Sequence, residues 1–185
     1  LEGDRDIQMV LTLRQAAQGS HEAFGDLVRQ HQTMVFSIAY HFLRNRAQAE
    51  DVAQEVFLEL YKRLNQIESP PHLTFWLRRV TVNRCIDQTR RRKPELALED
   101  VAEPKADSAH GDPLLSRHLQ KSVANLPERR RAIIILRYQE EMDLAEIAEV
   151  LEMPLNTVKS TLQRSLLELR KKLTRKLGEV RYAIF

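Results

Sequence analysis

The sequence predicts an all-α protein, two small helical domains joined by a flexible acidic linker. Three observations predict it. Apolar residues recur every three or four positions in one segment after another, the spacing of a helix face. The seven Pro and five Gly fall mainly between those segments, which argues for helices and few turns. Residues 95–113 form the one long stretch without periodicity, with six acids against Lys105 as the only Lys or Arg. Such a stretch suits an extended linker, so residues 1–94 and 114–185 are expected to be the two domains.

The bulk numbers agree. A length of 185 residues holds one medium domain or two small ones, and 43% apolar with 30% charged residues is ordinary for a soluble helical protein. The longest apolar run, Ala132 to Leu136, is far too short to span a bilayer, so no membrane insertion is expected. Cys85 has no partner for an internal disulfide and no secretory signal precedes the first helix, so a cytoplasmic location is expected. Without an initiating Met, Leu1-Glu2 is expected to be a processed or cloning-derived start. The net charge of +3 hides segregation: residues 50–59 carry four acids and no base, whereas residues 76–93 carry seven Lys or Arg and one Asp. Different faces are therefore expected to meet different partners.

A first helix is predicted from Ile7, with Val10, Leu13, Ala16 and Ala17 inward, ended by Gly19-Ser20, which also caps the next. From His21 to Leu43 the inward positions are Phe24, Leu27, Val28, His31, Val35, Ile38 and Phe42, with His31 a core or boundary histidine rather than a ligand. His21, His31 and His41 stand ten apart and point different ways, which excludes a helical metal pair.

The third helix, Ala47 to Leu64, has two unlike faces. Ala49, Val52, Ala53, Val56, Phe57, Leu60 and Leu64 face inward, and Asp51, Gln54, Glu55 and Glu59 line the other side with Leu58 among them. The acids alone read as a solubilising face. Leu58 points instead to a protein-docking surface, with carboxylates for a basic partner and an apolar centre for affinity.

Glu68-Ser69-Pro70-Pro71 reads as a loop, after which a helix opens at Phe75 and runs to about Arg92. Leu73, Leu77 and Val80 lie on one side and Phe75, Val82 and Ile86 on another, with Arg78, Arg79, Asn83 and Arg84 interleaved. Trp76 beside arginines suits unpaired bases, which stack on rings at roughly 1 to 3 kcal/mol each. Trp76 is equally well read as core. Beyond the linker, helices are predicted over Leu114 to Ala124 and from Leu126-Pro127 to about Gln139, with Ile133, Ile134 and Leu136 in the core.

Asp143 and Glu146 form an N-terminal capping pair. The helix they open buries Leu144, Ile147, Ala148 and Leu151 and stops at Glu152-Met153-Pro154. Asn156 is expected to cap the next helix, with Val158, Leu162, Leu166 and Leu169 along its inner face. Two short helices across a tight turn make a helix-turn-helix, whose second helix can enter a major groove. That helix leaves Asn156, Thr157, Lys159, Ser160, Gln163 and Arg164 outside, hydrogen-bonding side chains without a negative charge. An ordinary solvated face is the plain alternative. Eight Lys or Arg against two Glu over residues 155–182 favour a polyanion. Leu173, Leu177, Val180 and Ile184 continue the stripe, so the tail either extends this helix through Gly178 or folds back on it.

Taken together, the stretches FGDLVRQHQTMVFSIAYHFLRN from Phe24, AEDVAQEVFLELYKRL from Ala49, FWLRRVTVNRCIDQTRRRK from Phe75, LPERRRAIIILRY from Leu126 and the helix-turn-helix are similar, in order and separation, to the extracytoplasmic-function sigma factors of bacterial RNA polymerase. The first three resemble sigma region 2 and the rest region 4. The resemblance implies that Asp51, Gln54, Glu55 and Leu58 dock on the clamp helices of core polymerase. It implies that residues 68–74 capture a flipped base of the −10 promoter element, and that Trp76, Arg79, Asn83 and Arg84 line the melted strand. The outer face of the recognition helix would read the −35 element, region 4 would also seat on the polymerase flap, and an anti-sigma factor would hold the protein in check. The family commonly has TVKSRLxRA where this chain has TVKSTLQRS, so Thr161 stands for a frequent arginine. Glu152-Met153-Pro154 replaces a turn that often carries glycine, and Val82 takes a position that is often polar.

No catalytic residue, cofactor or metal is expected, since neither a Gly-rich phosphate loop nor metal-ligand spacing is present. A dimeric helix-turn-helix regulator explains Asp143 to Leu169 equally well. It leaves the acidic helix with Leu58 and the Trp-Arg helix unexplained.

Overall fold

The computed structural model describes residues 2–92 and 113–182, with side chains over 7–91 and 118–175, and divides the chain into two compact units, residues 1–88 and 89–185. The expected linker, residues 95–113, lies outside the described residues except for Pro113. All regular structure among the described residues is helical.

The first unit holds α1 (Glu2–Ala17), α2 (His21–Leu43), α3 (Arg46–Arg63), a short 3-10 turn (Leu64–Gln66) and most of α4 (Pro70–Arg92). Helix α1 begins earlier than Ile7 and buries Leu13 and Ala16 as expected. Gly19 turns the chain at φ 97, a conformation that favours glycine, and the Ser20 hydroxyl accepts the Ala23 amide at 3.3 Å. Leu27, Val35, Ile38 and Phe42 of α2 are fully buried, packing with Ala49, Val52, Val56 and Leu60 of α3 and Leu73, Leu77 and Val82 of α4 into the unit's core. Asn45 caps α3 by accepting the Gln48 amide at 3.1 Å.

Helix α4 corrects the sequence reading. It starts at Pro70, not Phe75, because proline is at home in the first turn, where its missing amide would have no helical partner. The Ser69 carbonyl accepts the Leu73 amide at 2.9 Å and its hydroxyl accepts the His72 amide at 3.3 Å. What remains of the expected loop is Glu68 and Ser69. Cys85 and Val82 are fully buried, so the first is a small core residue and the second packs inward.

The second unit holds α5 (Pro113–Ala124), α6 (Glu128–Tyr138), α7 (Leu144–Val150) and α8 (Leu155–Tyr182). Pro113 opens α5 instead of closing the linker. Ala132, Ile133, Ile134, Ile135 and Leu136 of α6 are all buried, together with Leu126, Met142, Ile147 and Val158. The Arg131 guanidinium donates to the Ala124 carbonyl at the end of α5 and to the Leu126 carbonyl beyond it, and Arg137 donates to the Met142 carbonyl at 2.7 Å, so two arginines of α6 hold the loops at its ends. Arg130 pairs with Glu168 at 2.8 Å, tying α6 to α8. The tail continues α8 through Gly178 to Tyr182. The side chains of Leu177 and Val180, and Ile184 altogether, lie outside the described residues.

Candidate nucleic-acid and protein-docking surfaces

In the second unit the capping pair is present in both directions. The Asp143 carboxylate accepts the Ala145 and Glu146 amides at 2.8 Å, and the Asp143 amide donates to Glu146 at 2.8 Å. Helix α7 ends in a left-handed turn: the Met153 amide donates to the Ala148 carbonyl at 2.9 Å and the Glu152 amide to Glu149 at 3.2 Å, with Glu152 at φ 51. Asn156 does not cap α8. The helix starts one residue earlier, at Leu155, and the Pro154 carbonyl accepts the Thr157 and Val158 amides at 2.9 and 3.1 Å, leaving Asn156 exposed within the first turn.

The inner stripe of α8 is Val158, Leu162, Ser165 and Leu169. Leu166, expected inside, is 38% exposed, and Ser165 takes its place because its hydroxyl donates to the Thr161 carbonyl at 2.7 Å and needs no further partner. Asn156, Thr157, Lys159, Gln163 and Arg164 are exposed and Ser160 is half-buried; at about 3.6 residues per turn Asn156, Ser160, Gln163 and Arg164 fall opposite that stripe, with Thr157 and Lys159 flanking them. Arg164 is held in place by Ser160, whose carbonyl accepts from Nε at 3.2 Å and whose hydroxyl accepts from Nη2 at 3.3 Å. Leu167, 57% exposed, shares this side and was not foreseen. Its signal was available in its spacing of four from Gln163. Thr161 is half-buried at the edge of the face. A neutral and basic surface on the second helix of a helix-turn-helix can pair with phosphates and base edges.

In the first unit the outer face of α3 carries Asp51, Gln54 and Glu55 exposed around Leu58, which is 56% exposed. Tyr61, three residues on and 46% exposed, extends this surface; the His21 ring stacks on it at 6.2 Å and Phe24 meets it edge-on at 5.1 Å. The sequence reading passed over Tyr61, although an aromatic residue outside the inner arc was the sign. Glu59 departs from the expected acidic face: it turns toward α4, where its Oε2 accepts from Arg84 Nη2 at 2.6 Å, and it also pairs with Arg63 at 3.3 Å.

On α4, Trp76, Arg79 and Asn83 stand at spacings of three and four, so they share one face, which also carries Asp87 and Arg90. Asn83 is exposed, and Trp76 and Arg79 are half-buried, so Trp76 is not enclosed in the core. Arg84 sits one position further round, toward α3, with Glu55 at 3.6 Å as well as Glu59. The hydrogen bond it donates to Glu59 is the main reason its guanidinium is held above the ordinary arginine range. The docking candidate Glu55 and the strand candidate Arg84 are therefore in direct contact. His31 of α2, near Arg78 on another side of α4, is held below its ordinary value, by burial first and by Arg78 second.

Among the described residues no cluster of His, Cys, Asp or Glu could hold a metal ion, and no helix is long and apolar enough to cross a membrane.

Comparison with known proteins matches two successive stretches of the chain. Residues 27–95 match the Sigma-70 region 2 family and residues 116–169 match Sigma-70, region 4. The ECF RNA polymerase sigma factor SigW of Bacillus subtilis is 30% identical over 176 residues, 87% of this chain and 94% of that protein. The RNA polymerase sigma-E factor of Streptomyces coelicolor is 32% identical over 154 residues, 81% of this chain and 85% of that protein. Two solved structures share the fold. One is CnrH in complex with the cytosolic domain of CnrY, at TM-score 0.64 and 24% identity over 91% of this chain and 96% of that one. The other is RpoE in complex with the anti-sigma factor NepR from Bartonella quintana, at TM-score 0.68 and 21% identity over 82% and 96%.

Proposed function

The chain belongs to the extracytoplasmic-function RNA polymerase sigma factors, and on that premise we propose that it binds core bacterial RNA polymerase and directs promoter-specific initiation of transcription. The observation that carries the polymerase assignment is Leu58, exposed amid Asp51, Gln54 and Glu55 on an otherwise well-packed helix. An apolar centre ringed by carboxylates matches a basic, partly apolar partner, here the clamp helices. Region 4, spanning 113–185, seats on the flap, and residues 95–112 connect it to region 2, spanning 1–94.

The mechanism needs no catalytic residue, cofactor or metal; the relatives are DNA-binding regulators of transcription. Unstacking a base step costs a few kcal/mol. A base captured near residues 68–74 and a strand lying along Trp76, Arg79 and Asn83 offset much of that cost, with Arg84 at the margin. The open promoter is favoured because the protein binds it better than the duplex. The outer face of α8, Asn156 to Arg164, reads the −35 element, and neither unit alone offers the surface for tight specific binding. The protein works in the cytoplasm, where polymerase and promoter are. An anti-sigma factor is its expected regulator, since the related fold of RpoE from Bartonella quintana is seen in complex with one.

The test is transcription by sigma-free core polymerase on a pool of genomic fragments, with start sites mapped with and without the chain. New starts preceded by a shared pair of −35 and −10 sequences are expected. An unchanged set of starts would contradict the proposal.

A further inference from the structure

Three features have no role so far: the stack of Phe36, Tyr40 and Arg44 on α2, the exposed Leu166 and Leu167 of α8, and the ion-pair network between α3 and α4. The network carries an inference, because it joins the two candidate surfaces of the first unit. Glu59 holds Arg84 at 2.6 Å while also pairing with Arg63, and Glu55 reaches the same guanidinium at 3.6 Å. Glu55 also belongs to the exposed ring around Leu58, and Arg84 adjoins Asn83 on the helix that faces the strand.

We propose that Glu59 and Glu55 form a latch on Arg84 that couples docking of a basic partner on α3 to binding of a nucleic-acid strand on α4. The inference rests on the sigma-factor reading. While the latch is closed, two carboxylates occupy the guanidinium and place negative charge beside the path of the phosphates. A basic partner settling over Glu55 competes for these carboxylates and neutralises them. Arg84 then turns to the strand as a phosphate donor. Because coupling between two sites is reciprocal, a bound strand also strengthens docking. Glu59 is a positioning residue in this scheme, and its pairing with Arg63 gives its carboxylate a second cation to hold once Arg84 swings away.

The test is Glu59→Gln, which keeps shape and removes the charge, made in the full chain with and without Arg84→Gln. The probe is a labelled pool of single-stranded DNA 12-mers of random sequence, titrated by fluorescence anisotropy over a range of salt. Glu59→Gln is expected to raise affinity at least about fivefold, the lower end of typical site coupling. Its salt dependence is expected to steepen by about 0.7, as one added phosphate contact on a single strand requires. Both changes are expected to vanish with Arg84→Gln. A gain that survives Arg84→Gln overturns the latch, since removal of repulsion alone then explains it, and so does the absence of a gain. Should Glu59→Gln fail to fold, Glu59→Asp, which keeps the charge and shortens the reach, is expected to give the same pattern at lower amplitude. Wild-type binding to core polymerase, measured alongside, separates the two ideas. Its absence would sink the sigma-factor reading, whereas intact polymerase binding with unchanged strand affinity overturns the latch alone.

Discussion

Asp143 and Glu146 cap each other's backbone: the Asp143 carboxylate takes the Glu146 amide at 2.8 Å, and the Glu146 carboxylate takes the Asp143 amide at 2.8 Å. This pair sets the start of α7 and hence the angle at which the helix-turn-helix presents α8. Asp143→Ala is expected to destabilise the second unit by about 1 kcal/mol. Hydrogen exchange at the Ala145 and Glu146 amides checks this; undiminished protection there would contradict it.

Glu152 occupies a left-handed conformation, φ 51, that glycine adopts at no steric cost. Glu152→Gly is therefore expected to stabilise the second unit, by up to about 1 kcal/mol, in contrast to most surface substitutions to glycine. A chemical denaturation curve followed by circular dichroism gives the sign, and a lower midpoint for the variant would refute the strain.

His31 and His41 are both held below the ordinary histidine value of 6.5, by burial first and then by Arg78 and Arg44 respectively. The Nε2 of His31 is buried without a hydrogen-bond partner. Folding thus favours the neutral rings. Their contribution is fully present above pH 6.5 and is lost as the pH falls through the lowered folded-state values. Trp76, the only tryptophan, reports on this unit by fluorescence. Its unfolding midpoint is expected to fall on moving from neutral pH to about pH 5, and a His31→Gln, His41→Gln variant to fall less.

Ser160 holds Arg164 by two contacts on the face assigned to the −35 element. Arg164→Ala is expected to reduce promoter use about tenfold or more, as for loss of a base-edge or phosphate contact, and Ser160→Ala to reduce it less. The double variant is expected to match Arg164→Ala alone, because the serine acts through the arginine. Additive losses in run-off transcription would show that Ser160 contacts DNA independently.

The helices, their order and most of the core were legible because apolar spacing alone decides which side of a helix is buried. Val158, Leu162 and Leu169 fell where the spacing put them. Leu166 did not, since a serine that bonds its own helix backbone can be buried as easily as a leucine. Pro70 and Pro71 misled the reading because proline breaks a helix interior but suits its first turn. Asn156 looked like a cap, but the Pro154 carbonyl had already begun the helix. The bond between Glu59 and Arg84 was out of reach: the residues lie 25 apart, and periodicity says which side of each helix is free but not which neighbour it meets.

The central claim is that the outer face of α3 docks on RNA polymerase, and the affinity of labelled chain for sigma-free core polymerase tests it most directly. An Asp51→Lys, Leu58→Ala variant belongs beside the wild type, since it leaves Glu55 and its contact with Arg84 unchanged. The account predicts tight wild-type binding weakened at least tenfold in the variant, about 1.4 kcal/mol, with the Trp76 unfolding midpoint preserved. Equal affinity of the two proteins, or no binding by the wild type, would contradict it.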